Sequence, residues 1–258
     1  MRYVVGSWVT KKLNFLKFYL PIYTATISKG PSRLYYIDAF ASSGKNRLRG
    51  VDQILEGSPL IALNTRPPFT SYIFIESSGW YFNELLENIA SHQKHFSIQS
   101  FFDDSNKLLP DLLRKIPNGS RLFVFFDPEG IQELLWDTVE EVGKRGSAEL
   151  LITFSCMAVA RCCQKRQDED VLDRFFGTKR WRNIARKRKL GRLTPERARK
   201  AFVDLYKIQL RKHFKYVDDV VLVKTEHHKP LYYLILATQD RSLVKIGRQY
   251  KTRMCGVE

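Results

Sequence analysis

The amino-acid sequence predicts an α/β protein built on a doubly wound, mostly parallel sheet that ends in an antiparallel hairpin. Three observations predict it. Five short runs rich in aromatic and branched residues recur along the chain: LYYIDAF (34–40), SYIFIE (71–76), SIQSFF (97–102), RLFVFFD (121–127) and ELLITFS (149–155). Between them the apolar residues fall at helical spacing, near 58–65, 79–91, 105–115 and 132–144. Strands that alternate with helices are joined by crossovers, which place the strands parallel and the helices on both faces. The third observation is YVDDVVLVKT (216–225) and PLYYLILAT (230–238), joined only by EHHK. So short a link has no room for a crossover helix and makes an antiparallel hairpin.

The remaining elements follow in order. From Thr10 to Ile27, Leu13, Leu16, Phe18 and Leu20 stand near helical spacing with lysines between them, which predicts an amphipathic helix packed on the sheet. After the fifth strand the rhythm breaks. Residues 161–215 hold nineteen Lys and Arg against six acids. Thr194-Pro195-Glu196 reads as a helix start, with Thr194 as N-cap and Pro195 in the first position. We therefore expect residues 1–258 to form one Rossmann-like domain, with 156–215 as a basic helical insertion before the hairpin. Five parallel strands ending in a hairpin is the class I methyltransferase architecture; dehydrogenase-type sheets end on a parallel strand instead.

Composition narrows the partners. The 258 residues are 44% hydrophobic, enough for a sizeable core, and carry a formal charge of +16. That excess favours a polyanionic partner, and within the basic segment KRWRNIARKRKLGR (179–192) interleaves an aromatic with cations. Lys179, Arg180, Trp181, Arg182, Arg186, Lys187, Arg188, Lys189 and Arg192 are the expected nucleic-acid-binding residues. The four cysteines, at 156, 162, 163 and 255, form no CxxC pair and fit a reduced, cytoplasmic protein. MRYVVGSWVTKK has no apolar run ending in small residues, so no secretory leader is expected. The apolar run around Leu150 to Ala160 is too short to cross a bilayer, and no membrane association is expected. His92, His95, His213, His227 and His228 make no metal-ligand spacing with cysteines or acids, so no metal is expected.

Four positions carry chemistry. YIDAFASSGKNRLRG runs from a strand into a loop of small residues, which lets backbone NH groups approach a ligand beyond the carboxyl end of the strand; a plain turn is the alternative. Glu76 closes the second strand, where a carboxylate accepts hydrogen bonds from ribose hydroxyls; it also suits an N-cap. Asp103-Asp104-Ser105-Asn106 follows the third strand, where an acid receives an adenine amino group or caps the next helix. FFDPEG (125–130) follows the fourth: Asp127 and the Pro128 carbonyl accept the two hydrogens of an exocyclic amine, while Asp-Pro-Glu-Gly is also a favourable turn.

VGSWVTKKLNFLKFYLPIY, YIDAFASSG, EGSPLIAL, YIFIE, FFDPEG and PLYYLILAT occur in that order and together resemble the three-Cys-motif partner protein (TcmP) family, over about residues 4–245. The ordered set carries the resemblance; no single motif does. The family is similar in turn to Rossmann-like S-adenosylmethionine-dependent methyltransferases, above all the rRNA adenine-N6 enzymes with Asp-Phe-Ala-Gly and Asp-Pro-Pro-Tyr motifs. Its name refers to a partner with a three-cysteine motif like a radical S-adenosylmethionine iron–sulfur site, which the cysteines here are not. The resemblance implies Asp38, Phe40 and Gly44 at the methionine end of an S-adenosylmethionine cofactor, Glu76 at the ribose, Asp103 or Asp104 at the adenine, and Asp127 with Pro128 at the methyl acceptor. Ser42 and Ser43 depart from the usual glycine and small residue of that loop. Glu129-Gly130 replaces Pro-Tyr, removing the aromatic that stacks on a flipped base; Trp136 or a tyrosine elsewhere is then the stacking candidate.

Three readings of function follow. The first is a methyltransferase of nucleic acid, RNA rather than DNA, with 161–215 as its phosphate-tracking surface. The second is a non-catalytic accessory protein that docks a three-Cys-motif partner or nucleic acid. The third is a dehydrogenase-like or nuclease-like protein; the hairpin and the lack of G-x-G-x-x-G oppose a dehydrogenase, and a nuclease needs Asp103, Asp104 and Asp127 to meet around a metal.

Overall fold

The structure is a computed structural model that describes residues 4–6, 8–27, 32–50, 52–225 and 228–255. His227 lies outside the described residues, as does the side chain of Cys255. The chain runs β1 (Val4–Val5), α1 (Val9–Ile27), β2 (Leu34–Asp38), β3 (Lys45–Leu48), β4 (Ile54–Glu56), α2 (Ser58–Leu63), β5 (Ser71–Glu76) and α3 (Gly79–Ile89). It continues β6 (Ser97–Phe102), α4 (Ser105–Lys115), β7 (Arg121–Phe126), α5 (Trp136–Lys144) and β8 (Ala148–Phe154). The last part is α6 (Cys156–Cys162), α7 (Glu169–Phe176), α8 (Trp181–Lys189), α9 (Pro195–Leu210), β9 (Tyr216–Lys224), β10 (Pro230–Thr238) and α10 (Arg241–Cys255).

Seven strands form the main sheet in the order β6-β5-β2-β7-β8-β10-β9. β2, β5, β6, β7 and β8 pair in parallel, and β10 pairs antiparallel with both β8 and β9. Numbered within this sheet alone, the order is 3-2-1-4-5-7-6. The chain winds outward from β2 to β6, returns to β7 beside β2, and winds the other way. The two directions part between β2 and β7, and a crevice opens there beyond the carboxyl ends of the strands.

The two faces of the sheet differ in chemistry because the strands alternate by residue type. Ile37, Ile73, Ile75, Leu122, Val124 and Ile152 face α4, α5, α6, α7 and α9. Tyr36, Tyr72, Phe74, Phe123 and Phe125 face α1, α2, α3 and α10. On this second face Tyr36 stacks on Phe123 at 5.9 Å, and Tyr23 of α1 meets Phe123 at 5.2 Å. Such ring pairs each add about 0.5–1.5 kcal/mol beyond the area they bury. α1 is the predicted amphipathic helix, and its aromatic stripe Phe15, Tyr19 and Tyr23 is fully buried.

One buried charge sits at the opposite edge from the crevice. Glu149, near the start of β8, is fully buried; it accepts from Tyr23 Oη at 2.8 Å and pairs with Arg121 at 2.6 Å. Burial pushes its carboxyl up to about 7, against the pull of Arg121 and Tyr23.

The predicted strands fall where expected, with ends shifted by up to two residues. Elsewhere the structure departs from the expectation. The small-residue loop after β2 does not stay a loop: it enters a hairpin, β3 with β4 (Lys45↔Glu56, Arg47↔Ile54), and β1 adds in parallel through Val4↔Arg47. KNRL has neither the branched residues nor the buried face that marks a strand in sequence. The helix expected at 132–144 begins at Trp136, after a short 3₁₀ turn at Ile131–Glu133. The basic segment folds into α6 to α9, with Thr194 accepting from Arg197 N at 3.2 Å as the N-cap of α9. No helix among the described residues is long and apolar enough to cross a membrane.

Candidate functional site

At the crevice between β2 and β7 lies a cavity of ≈ 180 Å³. α1 contributes Val9, Lys12 and Leu13; the segment after β2 contributes Phe40, Ala41, Ser42 and Gly44; Glu76, Ser77, Ser78 and Tyr81 come from the end of β5 and start of α3. Asp127, Glu129 and Glu133 close it on the far side.

The wall from β2 is held by the neighbouring strands. Ala39 N donates to Phe125 O and Ala41 N to Ile75 O, both at 3.0 Å, so the ladder runs on past the end of β2. The chain then turns at Ser42, whose φ of 52° is left-handed. Glycine takes that conformation freely, while another residue gives up roughly 1–2 kcal/mol. Here Ser42 N donates to Glu76 Oε2 at 2.7 Å, which holds the turn. Gly57 N donates to Gly44 O at 2.7 Å, and a Cβ on Gly57 would lie 2.8 Å from the Gly44 carbonyl. The loop is thus clamped by backbone contact that only glycine at 57 permits.

Asp38 stands behind this wall and not in it. It is fully buried and outside the cavity lining; it accepts from Phe40 N at 3.3 Å and Tyr36 Oη at 3.2 Å. Burial pushes its carboxyl up to about 7, offset in part by a hydrogen bond from Ser58 and raised further by Asp127. Its place makes it a support for the loop, through the hydrogen bond that it accepts from Phe40 N–H.

Glu76 lines the cavity, its second oxygen accepting from Ser78 N at 2.7 Å. Burial raises its carboxyl above the usual range, the backbone donors of Ser78, Ser42 and Ser77 working against that. Each carboxylate oxygen has a further lone pair, so the group retains acceptor capacity for a diol. Asp103 and Asp104 do not reach the cavity. Asp103 is exposed and accepts from Asp104 N at 2.7 Å, and Asp104 caps α4 through Asn106 N at 2.8 Å. The capping alternative therefore accounts for Asp104. Asn106 ties the segment after Asp127 to α4, donating to Glu133 O at 2.8 Å and accepting from Leu135 N at 3.0 Å.

Asp127 lines the cavity and forms an ion pair with Lys12 of α1, while Pro128, next in the chain, is buried and outside the cavity lining. Lys12 Nζ also lies 6.0 Å from the Tyr232 ring centre, and Tyr232 Oη donates to Trp8 O at 3.1 Å. Sequence reasoning missed Lys12, which reads as one of several lysines on the polar side of an amphipathic helix. Among the described lining residues it is the one cation, in the company of Glu76, Asp127, Glu129 and Glu133. Trp136 is buried against Tyr206, edge to face at 5.6 Å, so it is not the stacking aromatic; Tyr81 is the tyrosine among the described residues that line the cavity. No group of three His, Cys, Asp or Glu among the described residues is placed to hold a metal ion, so Asp103, Asp104 and Asp127 do not converge as a nuclease reading needs.

In the basic segment, Lys179, Arg180, Arg186, Lys187, Arg188, Lys189 and Arg192 are exposed. Trp181 is a correction. It is 3% exposed, and its Nε1 donates to Asp173 Oδ1 at 2.8 Å, so its ring belongs to the core and cannot stack on a base. Arg182 is engaged by the same acid, at 2.8 Å, and by Glu169 at 3.3 Å.

The strand order decides the fold. It is a Rossmann-like methyltransferase fold. No family model matches the sequence, and no curated protein is significantly similar to it. Among solved structures, a Legionella pneumophila protein of the DUF519 family is similar over 92% of this chain and 90% of its own, with TM-score 0.58 and 11% identity. The DszA carbon methyltransferase matches 84% of this chain and 51% of its own, at TM-score 0.45 and 8% identity. The methyltransferase domain of bacterial CtHen1 matches 86% and 99%, at TM-score 0.40 and 9% identity. At such identity the first likeness shows the fold alone, and the other two overlaps add nothing to it.

Proposed function

We propose that this chain is an S-adenosylmethionine-dependent methyltransferase of nucleic acid, RNA rather than DNA, related to the three-Cys-motif partner proteins. One observation carries the reading. Glu76, the loop Phe40–Gly44 and Asp127, which are far apart in sequence, line one cavity at the point where the sheet reverses direction.

The residues fit the cofactor. Glu76 offers acceptors for a ribose diol, the backbone from Phe40 to Gly44 offers close main-chain approach, and Tyr81 offers an aromatic face. When bound, S-adenosylmethionine supplies an electrophilic methyl group. The protein's part is alignment and management of the acceptor's N–H hydrogens. Asp127 and the Pro128 carbonyl accept the hydrogens of an exocyclic amine, leaving the nitrogen lone pair for the methyl group. Lys12 holds the Asp127 carboxylate in one orientation through their ion pair. The exposed cations of α8 supply phosphate contacts, which position a nucleic acid without reading its sequence. Calorimetric titration with S-adenosylmethionine and S-adenosylhomocysteine is the test: saturable binding that Glu76→Ala removes is expected. Absence of binding to folded wild-type protein overturns the reading.

A second reading, an accessory protein that docks a three-cysteine partner, is favoured by one observation. The Asp127 carboxylate is already engaged by Lys12, beside a Glu129-Gly130 pair with no stacking aromatic. Under it, Asp127→Ala leaves the cellular role intact; loss of that role without unfolding rejects it.

A further inference from the structure

The rim of the sheet that carries the cavity continues into a second depression. α6 leaves this rim directly after β8, and β10 runs antiparallel to β8, so Pro230 at its start returns to the same rim. Between α6, α8 and α9, with Pro230 at one end, lies a groove of ≈ 610 Å³. Its floor is apolar: Met157 and Ala160 of α6 are exposed there, and Phe202 of α9 lines it. Arg188, Lys189 and Arg199 also line it, and among the described residues no acid does.

Among the described residues none of these three cations forms an ion pair. The Arg199 Nε is shielded from solvent and has no hydrogen-bond partner. Glu196 is an acid that feels Arg199 and Arg188. Its carboxyl is held below the usual range first by the backbone NH at the start of α9 and by Thr194, and only then by Arg199 and Arg188.

A wide apolar floor edged by three cations that form no ion pair among the described residues suits a ligand with a flat apolar face and anionic charge on one side. That is a nucleotide unit with its base unstacked from a duplex, since every base offers a π-face and every linkage a phosphate. We propose that this groove seats a nucleotide of a single-stranded segment of the substrate, its base on Met157, Ala160 and Phe202 and its phosphates on Arg188, Lys189 and Arg199. The inference rests on the nucleic-acid reading above and deepens it: the groove is a substrate-strand subsite on the same rim as the cavity.

The test is fluorescence anisotropy with a labelled single-stranded RNA oligonucleotide, the same oligonucleotide with abasic linkers at its centre, and its duplex. Three proteins are compared with wild type. One carries Arg188→Gln, Lys189→Gln and Arg199→Gln; one carries Lys94→Gln, Lys115→Gln and Lys245→Gln, exposed lysines away from this groove; one carries Ala160→Trp, which fills the floor. The groove triple variant should weaken binding at least tenfold and lower the salt slope by about 2, from three lost contacts to a single strand. The control triple variant should change affinity less than threefold. Wild type should prefer the intact to the abasic oligonucleotide, and Ala160→Trp should erase that preference. Equal losses in the two triple variants, equal affinity for intact and abasic strands, or equal affinity for the duplex each overturn the proposal. Titration with S-adenosylmethionine separates the two readings. If wild type fails to bind it while the RNA results stand, the methyltransferase reading falls and the groove remains.

Discussion

Replacing Asp38 by Asn should make the protein more stable at alkaline pH. Asp38 is fully buried behind the cavity wall, and burial pushes its carboxyl from the ordinary 3.8 to about 7. Each pH unit between those values is worth about 1.4 kcal/mol, so ionising Asp38 costs the fold about 4 kcal/mol. The folded chain holds this proton up to about 7 while the unfolded chain releases it near 3.8. Folded protein thus binds more protons across that window, and stability falls as pH rises through it and is level above. Asn removes the titration. It still accepts from Phe40 N through its carbonyl, and Tyr36 can accept from its amide instead of donating. We allow about 1 kcal/mol for the exchange of hydrogen bonds. Asp38→Asn should therefore be less stable than wild type by about 1 kcal/mol below pH 4 and more stable by about 3 kcal/mol at pH 8, as the two costs combine. Glu149, also pushed to about 7, acts in the same direction, so a reduced pH slope persists in the variant and Asp38→Asn/Glu149→Gln should flatten it further. Urea unfolding from pH 4 to 8.5 measures all of this. An unchanged slope, or a variant less stable than wild type at pH 8, would refute the reasoning and show that Asp38 is ionised and needed so.

Glu76→Gln keeps one acceptor where the carboxylate has two, and should weaken S-adenosylmethionine binding by about 10–100-fold, as losing 1.5–3 kcal/mol of charged hydrogen bonding implies; unchanged calorimetric affinity contradicts the ribose assignment. Gly57→Ala puts a Cβ 2.8 Å from the Gly44 carbonyl and should cost about 1–3 kcal/mol in thermal unfolding while impairing cofactor binding; normal stability and binding would show that the loop yields freely. Lys12→Met should lower kcat for methyl transfer by about 100-fold through loss of Asp127 positioning, with RNA affinity unaltered; an unchanged kcat removes Lys12 from the site. Trp181→Phe should cost about 1–2 kcal/mol of stability by breaking its bond to Asp173, with RNA affinity intact; reduced affinity in a fully stable variant would restore Trp181 as a nucleic-acid-binding residue.

What the sequence determined by itself is the layer architecture and its order. Runs such as SYIFIE and RLFVFF are dense in residues that pack on both faces of a buried strand, and the four-residue EHHK link permits only a hairpin. Those constraints are local, so they survive without knowledge of neighbours. Glu76 and Asp127 were legible for the same reason: an acid closing a buried strand in a parallel sheet emerges at the carboxyl edge. Contacts across the chain were not legible. Asp38 and Glu76 are both acids at strand ends, yet one is sealed behind Tyr36 and Ser58 and the other opens to the cavity, which depends on where α2 packs. Lys12 looks like its neighbour Lys11 until α1 settles on the aromatic face and brings it to Asp127. Trp181 sits within a run of cations but turns inward, because α7 and α9 bury one side of α8 and Asp173 waits there for its indole NH. Which side of a residue meets solvent is set by partners many positions away, and only tertiary packing decides it.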